Sequence, residues 1–209
     1  GFAGSFYIMS SSGGTVTPDT ARQYPVRMLE SGPAAGVLQS AALGRQLERP
    51  DLLAYDMGGT TAKGALVRTG NPLKRYEMEV ARVHEFRMGS GLPAKIPVID
   101  LIEIGSGGGS IAELEARGTI QVGPLSAGAD PGPACYGLGG ERPTLSDANL
   151  VLGYLDAGFF LGGEMVLDRT AAVTAIDHGI GRPLSITAER AAWGMHESAN
   201  EDVARAFRN

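Results

Sequence analysis

The sequence holds one cysteine, Cys135, in 209 residues, which excludes an internal disulfide. It has no apolar run approaching the roughly 18 residues that a bilayer-spanning helix requires. Basic residues are in the minority and do not cluster: Lys and Arg number 18 against 23 Asp and Glu, a formal net charge of −5. The chain thus lacks the electrostatic footprint that nucleic-acid backbones and anionic membranes require, so neither is an expected partner. The three histidines, His84, His178 and His196, are scattered without the spacing of a zinc site. No basic residue precedes Arg22, so the first segment lacks the charged start of a secretory signal. The missing initiator Met leads us to expect that the chain begins inside something longer. A reducing, cytoplasmic setting fits these absences.

Glycine, in contrast, is abundant: 31 residues of 209, about twice the usual share of about 7%. The glycines cluster at Gly13-Gly14, Gly58-Gly59, Gly105 to Gly109, Gly137 to Gly140 and Gly162-Gly163. Each cluster borders an apolar stretch, the placement expected of loops that converge on a ligand. With 43% hydrophobic residues the chain can build a proper core, as one large domain or two small ones.

The segment LLAYDMGGTTAKGALV (Leu52 to Val67) carries the sharpest chemistry. An apolar run ends in an acid, two glycines and two threonines before a second apolar run begins, which is the layout of a strand-turn-strand phosphate clamp. Gly58 and Gly59 allow close backbone approach, the Thr60 and Thr61 hydroxyls and nearby amides can donate to phosphate oxygens, and Asp56 can hold Mg²⁺ or its water. A plain glycine-glycine hairpin turn is the alternative, though it needs neither the acid nor the threonines.

Around the clamp, Phe6 to Met9 reads as a short strand. Pro33 to Leu47 reads as a helix with Pro33 at its first position, and Glu30 to Pro33 as either an ordinary cap or an anion site. Leu52 to Asp56, Ala62 to Val67 and Lys74 to Val83 are expected to form a three-strand meander. Val98 to Ile104 leads into GSGGGS (Gly105 to Ser110), close to a dinucleotide fingerprint. The alternation from Ala112 to Val122 around Arg117-Gly118 makes the next segment a hairpin, not the helix that a pyrophosphate would need. Gly123 to Pro143 reads as a long structured loop. Ser146 is expected to cap a helix running to Leu155, Asp168 to Asp177 reads as a short helix, and Thr187 as the cap of a long final one with Glu201 and Arg205 as an exposed pair. Asp130 and Asp147 flank the Gly/Pro loop and could bind metal or substrate; alternatively they are a turn aspartate and a helix N-terminal charge. Cys135 has no histidine near it in sequence and reads better as a structural residue than as a nucleophile.

SGPAAGV (Ser31 to Val37), DMGGTTAK (Asp56 to Lys63), IGSGGGSIA (Ile104 to Ala112), VGPLSAGADPGPACYG (Val122 to Gly137), TLSDANLVLGYLD (Thr144 to Asp156) and FLGGEM (Phe160 to Met165) together resemble the hydantoinase A/5-oxoprolinase family, in order and over nearly the whole chain. The resemblance implies an α/β, actin-like (RNase H-like) ATPase lobe with a mixed sheet and flanking helices. In that division residues 1–48 end a preceding lobe and residues 49–209 form an incomplete second lobe. It implies ATP and Mg²⁺ as cofactors, with Gly58, Gly59, Thr60, Thr61, Gly107, Gly108 and Gly109 at the nucleotide and Asp56 and Asp147 at the metal. The chemistry implied is phosphorylation of a carbonyl oxygen in a cyclic amide such as 5-oxoproline or a hydantoin. The family's ketone carboxylases, and a nucleotide-binding or assembly module without its own activity, are the alternatives. A hydantoinase B-type subunit or domain is the implied partner. Actin-like clamps often end in aspartate where this chain has Lys63, so Lys63 is expected to meet phosphate in a catalytic role, to mean that catalytic metal binding lies elsewhere, or to be a solvated strand residue. The fragment alone is expected to be inactive.

Overall fold

The computed structural model describes residues 2–80 and 89–208. The elements are β1 (Ile8–Met9), β2 (Thr15–Val16), α1 (Pro18–Gln23), α2 (Ser31–Gln46), β3 (Leu52–Met57), β4 (Ala62–Arg68), β5 (Asn71–Pro72), β6 (Lys74–Arg75), β7 (Met78–Val80), β8 (Leu92–Ala94), β9 (Val98–Ile99), β10 (Ile102–Ile104), β11 (Ser110–Leu114), β12 (Ile120–Ser126), α3 (Leu145–Val151), α4 (Arg169–Ile176), α5 (Arg182–Leu184) and α6 (Ala188–Arg208). The chain divides into two compact units, one of residues 1–56 and 63–103, the other of residues 57–62 and 104–209.

In the first unit, α2 recurs in small apolar residues at helical spacing, and Ala34, Val37 and Ala41 are buried with Ala54, Ala65, Val67 and Ile99. Alanines on both layers let helix and strands approach closely. The sheet runs in the order β10-β4-β3, with β5 also paired to β4. Residues 58–61 alone join β3 to β4, and so short a link between paired neighbours requires an antiparallel hairpin. The first two strands of the expected meander are therefore present. The third is not: β6 pairs with β9, β7 pairs with β8, and Tyr76 between them is 76% exposed. The last residues assigned to that strand, 81–83, lie outside the described residues. Helix α2 begins at Ser31 instead of Pro33, with Glu30 as its N-cap. A proline at the third helical position is tolerated because first-turn N–H groups have no intrahelical acceptor.

In the second unit β11 and β12 form the expected antiparallel hairpin, with Ala112 opposite Val122 and Leu114 opposite Ile120. Its turn uses Gly118 at φ +78°, a left-handed conformation that glycine adopts without a Cβ penalty. Helices α3, α4 and α6 close over this hairpin through Leu145, Leu150, Ile176, Ala191, Ala192 and Met195, all buried. Thr187 caps α6 as expected, accepting from Arg190 N–H at 3.3 Å. Arg205 pairs with Asp202 at 3.8 Å and not with Glu201. Helix α3 is capped by Thr144, two residues before the expected Ser146, and it ends at Val151.

Candidate functional site

In the second unit the turn 58–61 is closed by Gly58 N–H donating to Thr61 O at 2.9 Å. The loop 105–110 interlocks with it: Gly108 N–H donates to Gly58 O at 2.9 Å and Gly109 N–H to Gly59 O at 2.6 Å, while Gly107 N–H donates to Ser110 Oγ at 2.8 Å. A Cβ at Gly107 would stand 2.7 Å from the Thr60 carbonyl carbon and 2.8 Å from Gly58 O, so the two backbones meet only because this residue has no side chain. The N–H groups of Gly107, Gly108 and Gly109, the glycines expected at the nucleotide, are all taken by protein acceptors. They buttress the clamp. The Gly59 and Thr60 amides and the Thr60 and Thr61 hydroxyls, by contrast, donate to no acceptor among the described residues. These are the donors through which the turn can bind an anion.

Asp147 does not belong with them. It is wholly buried and closes a capping box with Thr144. Its Oδ2 accepts from Thr144 N–H at 2.9 Å and from the Thr144 hydroxyl at 2.7 Å, and its Oδ1 accepts from Cys135 N–H at 2.7 Å. Ala134 N–H adds a longer contact to Oδ2 at 3.3 Å. With both oxygens engaged, the carboxylate ties the Gly/Pro loop to the start of α3, and the expected metal role gives way to the helix-terminal one. Among the described residues no group of three His, Cys, Asp or Glu side chains could hold a metal ion. The Cys135 thiol is fully buried, and burial, with the Asp147 charge beside it, pushes its pKa far above the usual 9.0. It is a packed, inert thiol at pH 7. Asp130 is exposed in a turn before Pro131. His196 Nδ1 lies 3.0 Å from Asn149 Oδ1, and His84 lies outside the described residues.

The first unit brings Asp56 and Lys63 together on one cavity of about 320 Å³. Strand β3 supplies Ala54, Tyr55 and the exposed Asp56, and β4 supplies Lys63. Helix α2 contributes Pro33, Gly36, Val37 and Ser40, the repeat of one helical face. Burial raises the Tyr55 pKa above 10.0. Lys63 is neither a solvated residue nor a free one: its side chain is 16% exposed, and Nζ contacts Glu30 Oε2 and, at 3.5 Å, Glu103 Oε1. Sequence reasoning missed both carboxylates, because they lie 33 positions before and 40 after the lysine. Glu30 holds its place in a left-handed backbone conformation, φ 57° and ψ 21°, uncommon for a residue with a side chain.

A family model described as Hydantoinase/oxoprolinase matches residues 1–209. The chain is 39% identical to caprolactamase subunit alpha of Pseudomonas jessenii over 95% of this chain and 27% of that protein. It is 37% identical to the acetophenone carboxylase gamma subunit of Aromatoleum aromaticum over 100% of this chain and 27% of the relative. A solved nucleotide-free structure of acetone carboxylase, from work on ATP-dependent acetone carboxylation, superposes with a TM-score of 0.80 at 32% identity, covering 98% of this chain and 27% of that one. The chain thus spans little more than a quarter of the length of these proteins.

Proposed function

The chain belongs to the hydantoinase/oxoprolinase family, and we propose that it is part of an actin-like lobe of an ATP-dependent enzyme that phosphorylates the carbonyl oxygen of a cyclic amide and so prepares it for hydrolysis. The observation that supports this reading is the interlocked clamp, in which donors on Gly59, Thr60 and Thr61 that meet no acceptor among the described residues follow Asp56 within five positions. Phosphoryl transfer asks a protein chiefly to position and neutralise phosphate charge. Gly58, with its amide tied to Thr61, sets the turn's shape, while the other amides and hydroxyls meet the phosphate oxygens.

Asp56 is the residue we assign to Mg²⁺. Because a magnesium site of this kind is typically completed by water and substrate phosphates, one carboxylate from this stretch suffices. Lys63, fixed by Glu30 and Glu103, acts as a positioned donor in the cavity and not as a clamp residue on phosphate. We place residues 49–209 in the second lobe and 1–48 at the end of the preceding one, and we propose a hydantoinase B-type partner, in keeping with relatives named as subunits. No helix among the described residues is long and apolar enough to cross a membrane, and a cytoplasmic enzyme is the setting we propose.

ADP formation by the intact protein, measured with 5-oxoproline, hydantoin, caprolactam and acetone, tests the reading. Stimulation by a cyclic amide is the expected result, and Asp56→Asn lowers that turnover about 100-fold or more, as lost electrostatic positioning does. Stimulation by the ketone alone transfers the protein to the carboxylase branch, the reading favoured by its likeness to the acetophenone carboxylase subunit.

A further inference from the structure

Building on the cyclic amide reading, we propose that the cavity between α2 and β3 in the first unit is the pocket for the amide ring itself, with Asp56 accepting the ring N–H and Lys63 donating to the carbonyl oxygen. Three features of the cavity point this way.

The first is Gly36. It stands inside α2, where glycine costs roughly 0.5–1 kcal/mol relative to alanine. A Cβ there would meet nothing within 4 Å, so no packing conflict within the described residues calls for glycine. Gly36 is exposed and lines the cavity, so a side chain there would enter open space at the cavity's edge. Gly107 is the opposite case, a glycine whose Cβ would strike neighbouring backbone.

The second feature is the lining. Val37 and Ala54 are buried apolar residues, and Pro33 and Leu101 add apolar surface, which suits the body of a small ring. Asp56 and Lys63 bring one acceptor and one donor to the same cavity. A cyclic amide is held cis and therefore presents N–H and C=O side by side along one edge, which calls for an acceptor and a donor on the same cavity. A ketone offers no N–H and leaves the carboxylate unanswered.

The third is that Lys63 retains donor capacity. An ammonium carries three hydrogens; Glu30 and Glu103 take two of these contacts, which fix the amine and leave one hydrogen for a carbonyl oxygen. The volume, about 320 Å³, lies at the small end of ligand pockets, which run from about 300 to 1,000 Å³.

The carboxylate also assists the reaction. As the amide oxygen bonds to the γ-phosphorus of ATP, the bond from that phosphorus to the bridging β-γ oxygen breaks and its electron pair leaves with ADP. Positive charge builds on the ring nitrogen, whose proton stays in place and is met by the Asp56 carboxylate. The two oxygens of Asp56 carry about four lone-pair sites, so accepting this N–H does not compete with holding a metal-bound water.

The test compares the intact protein with its Gly36→Ala and Gly36→Leu variants in ADP-release kinetics on 5-oxoproline and 2-pyrrolidone, alongside N-methyl-2-pyrrolidone. The expected result is a KM for the cyclic amide raised a few-fold by Gly36→Ala and at least 10-fold by Gly36→Leu, with the KM for ATP within 2-fold of the parent and no fall in thermal midpoint. N-methylation of the ring is expected to cost at least 10-fold in kcat/KM, as loss of a hydrogen bond that a site is built to make does. Should Gly36→Leu unfold the protein, the alanine variant and the N-methyl comparison decide alone. An unchanged amide KM in a folded Gly36→Leu protein, or equal use of the N-methylated ring, overturns the pocket assignment while the cyclic amide reading stands. ATP turnover stimulated by no cyclic amide overturns both.

Discussion

Replacing Asp147 by asparagine separates a structural carboxylate from a metal ligand. In the native fold each oxygen of Asp147 faces backbone N–H groups: Cys135 on Oδ1 at 2.7 Å and Thr144 on Oδ2 at 2.9 Å. Asparagine keeps one oxygen, so whichever way its amide is turned, the NH₂ group confronts a backbone N–H with no acceptor between them. The displaced backbone N–H is left unsatisfied and, unless the NH₂ turns to the Thr144 hydroxyl oxygen, so is the NH₂, at about 1–3 kcal/mol each, which puts the loss at about 2–4 kcal/mol. At roughly 2–4 °C per kcal/mol for a chain of this size, the thermal midpoint falls by about 10 °C. The chain's single tryptophan, Trp193 in α6, lies in the same unit, so its fluorescence during urea unfolding reports the loss directly. The loss is expected to be the same with and without Mg²⁺. A change below about 1 kcal/mol, or one seen only when Mg²⁺ is present, refutes the structural role.

Gly107→Ala forces a methyl group into the backbone of the clamp turn, 2.7–2.8 Å from Thr60, Gly59 and Gly58 atoms; overpacking of this kind costs about 1–3 kcal/mol, read by urea unfolding, and an unchanged midpoint speaks against the interlock. For Cys135, the folded thiol pKa lies above the unfolded value near 9.0, so its contribution is fully present below that pH and is lost as pH rises, because only the unfolded chain ionises. Stability is then expected to fall between pH 9 and 10 with a slope approaching about 1.4 kcal/mol per pH unit, a slope absent in Cys135→Ala, and iodoacetamide at pH 8 should label the thiol only after unfolding.

The sequence revealed most where a local pattern and its partner were close together. The β11-β12 hairpin was legible because Ala112, Leu114, Ile120 and Val122 alternate on either side of a glycine turn. Helix α6 was legible because Thr187 precedes a long apolar stripe. Lys74 to Val83 misled because its period of two fits any strand, while the choice among partners was made by β8 and β9, far along the chain. The Thr144 cap was hidden by an aspartate at the capping-box position, where glutamate or glutamine is the familiar signal. Lys63 looked like a residue without company because its two carboxylates come from remote elements.

Glycine sets a deeper limit, since the same letter records different physical needs. At Gly107 the missing side chain lets one loop pass against another, and the amide is spent on Ser110. At Gly36 nothing presses on the position, and the missing side chain leaves room beside a helix that alanine would stabilise. The clustered glycines of the 105–110 loop suggest ligand contacts, yet the amides of Gly107, Gly108 and Gly109 are engaged within the protein. Gly36, one of three glycines in α2, was legible only as a letter of the SGPAAGV motif, with no sign of the space beside it. Only the space around each residue distinguishes a glycine that the fold requires from one that the fold tolerates, and the tolerated one is where a ligand's claim on the structure can be tested by substitution. Gly36→Ala is accordingly expected to raise stability by about 0.5–1 kcal/mol while weakening use of the cyclic amide. A loss of stability at that position would mean that the helix itself, and not the cavity, demands the glycine.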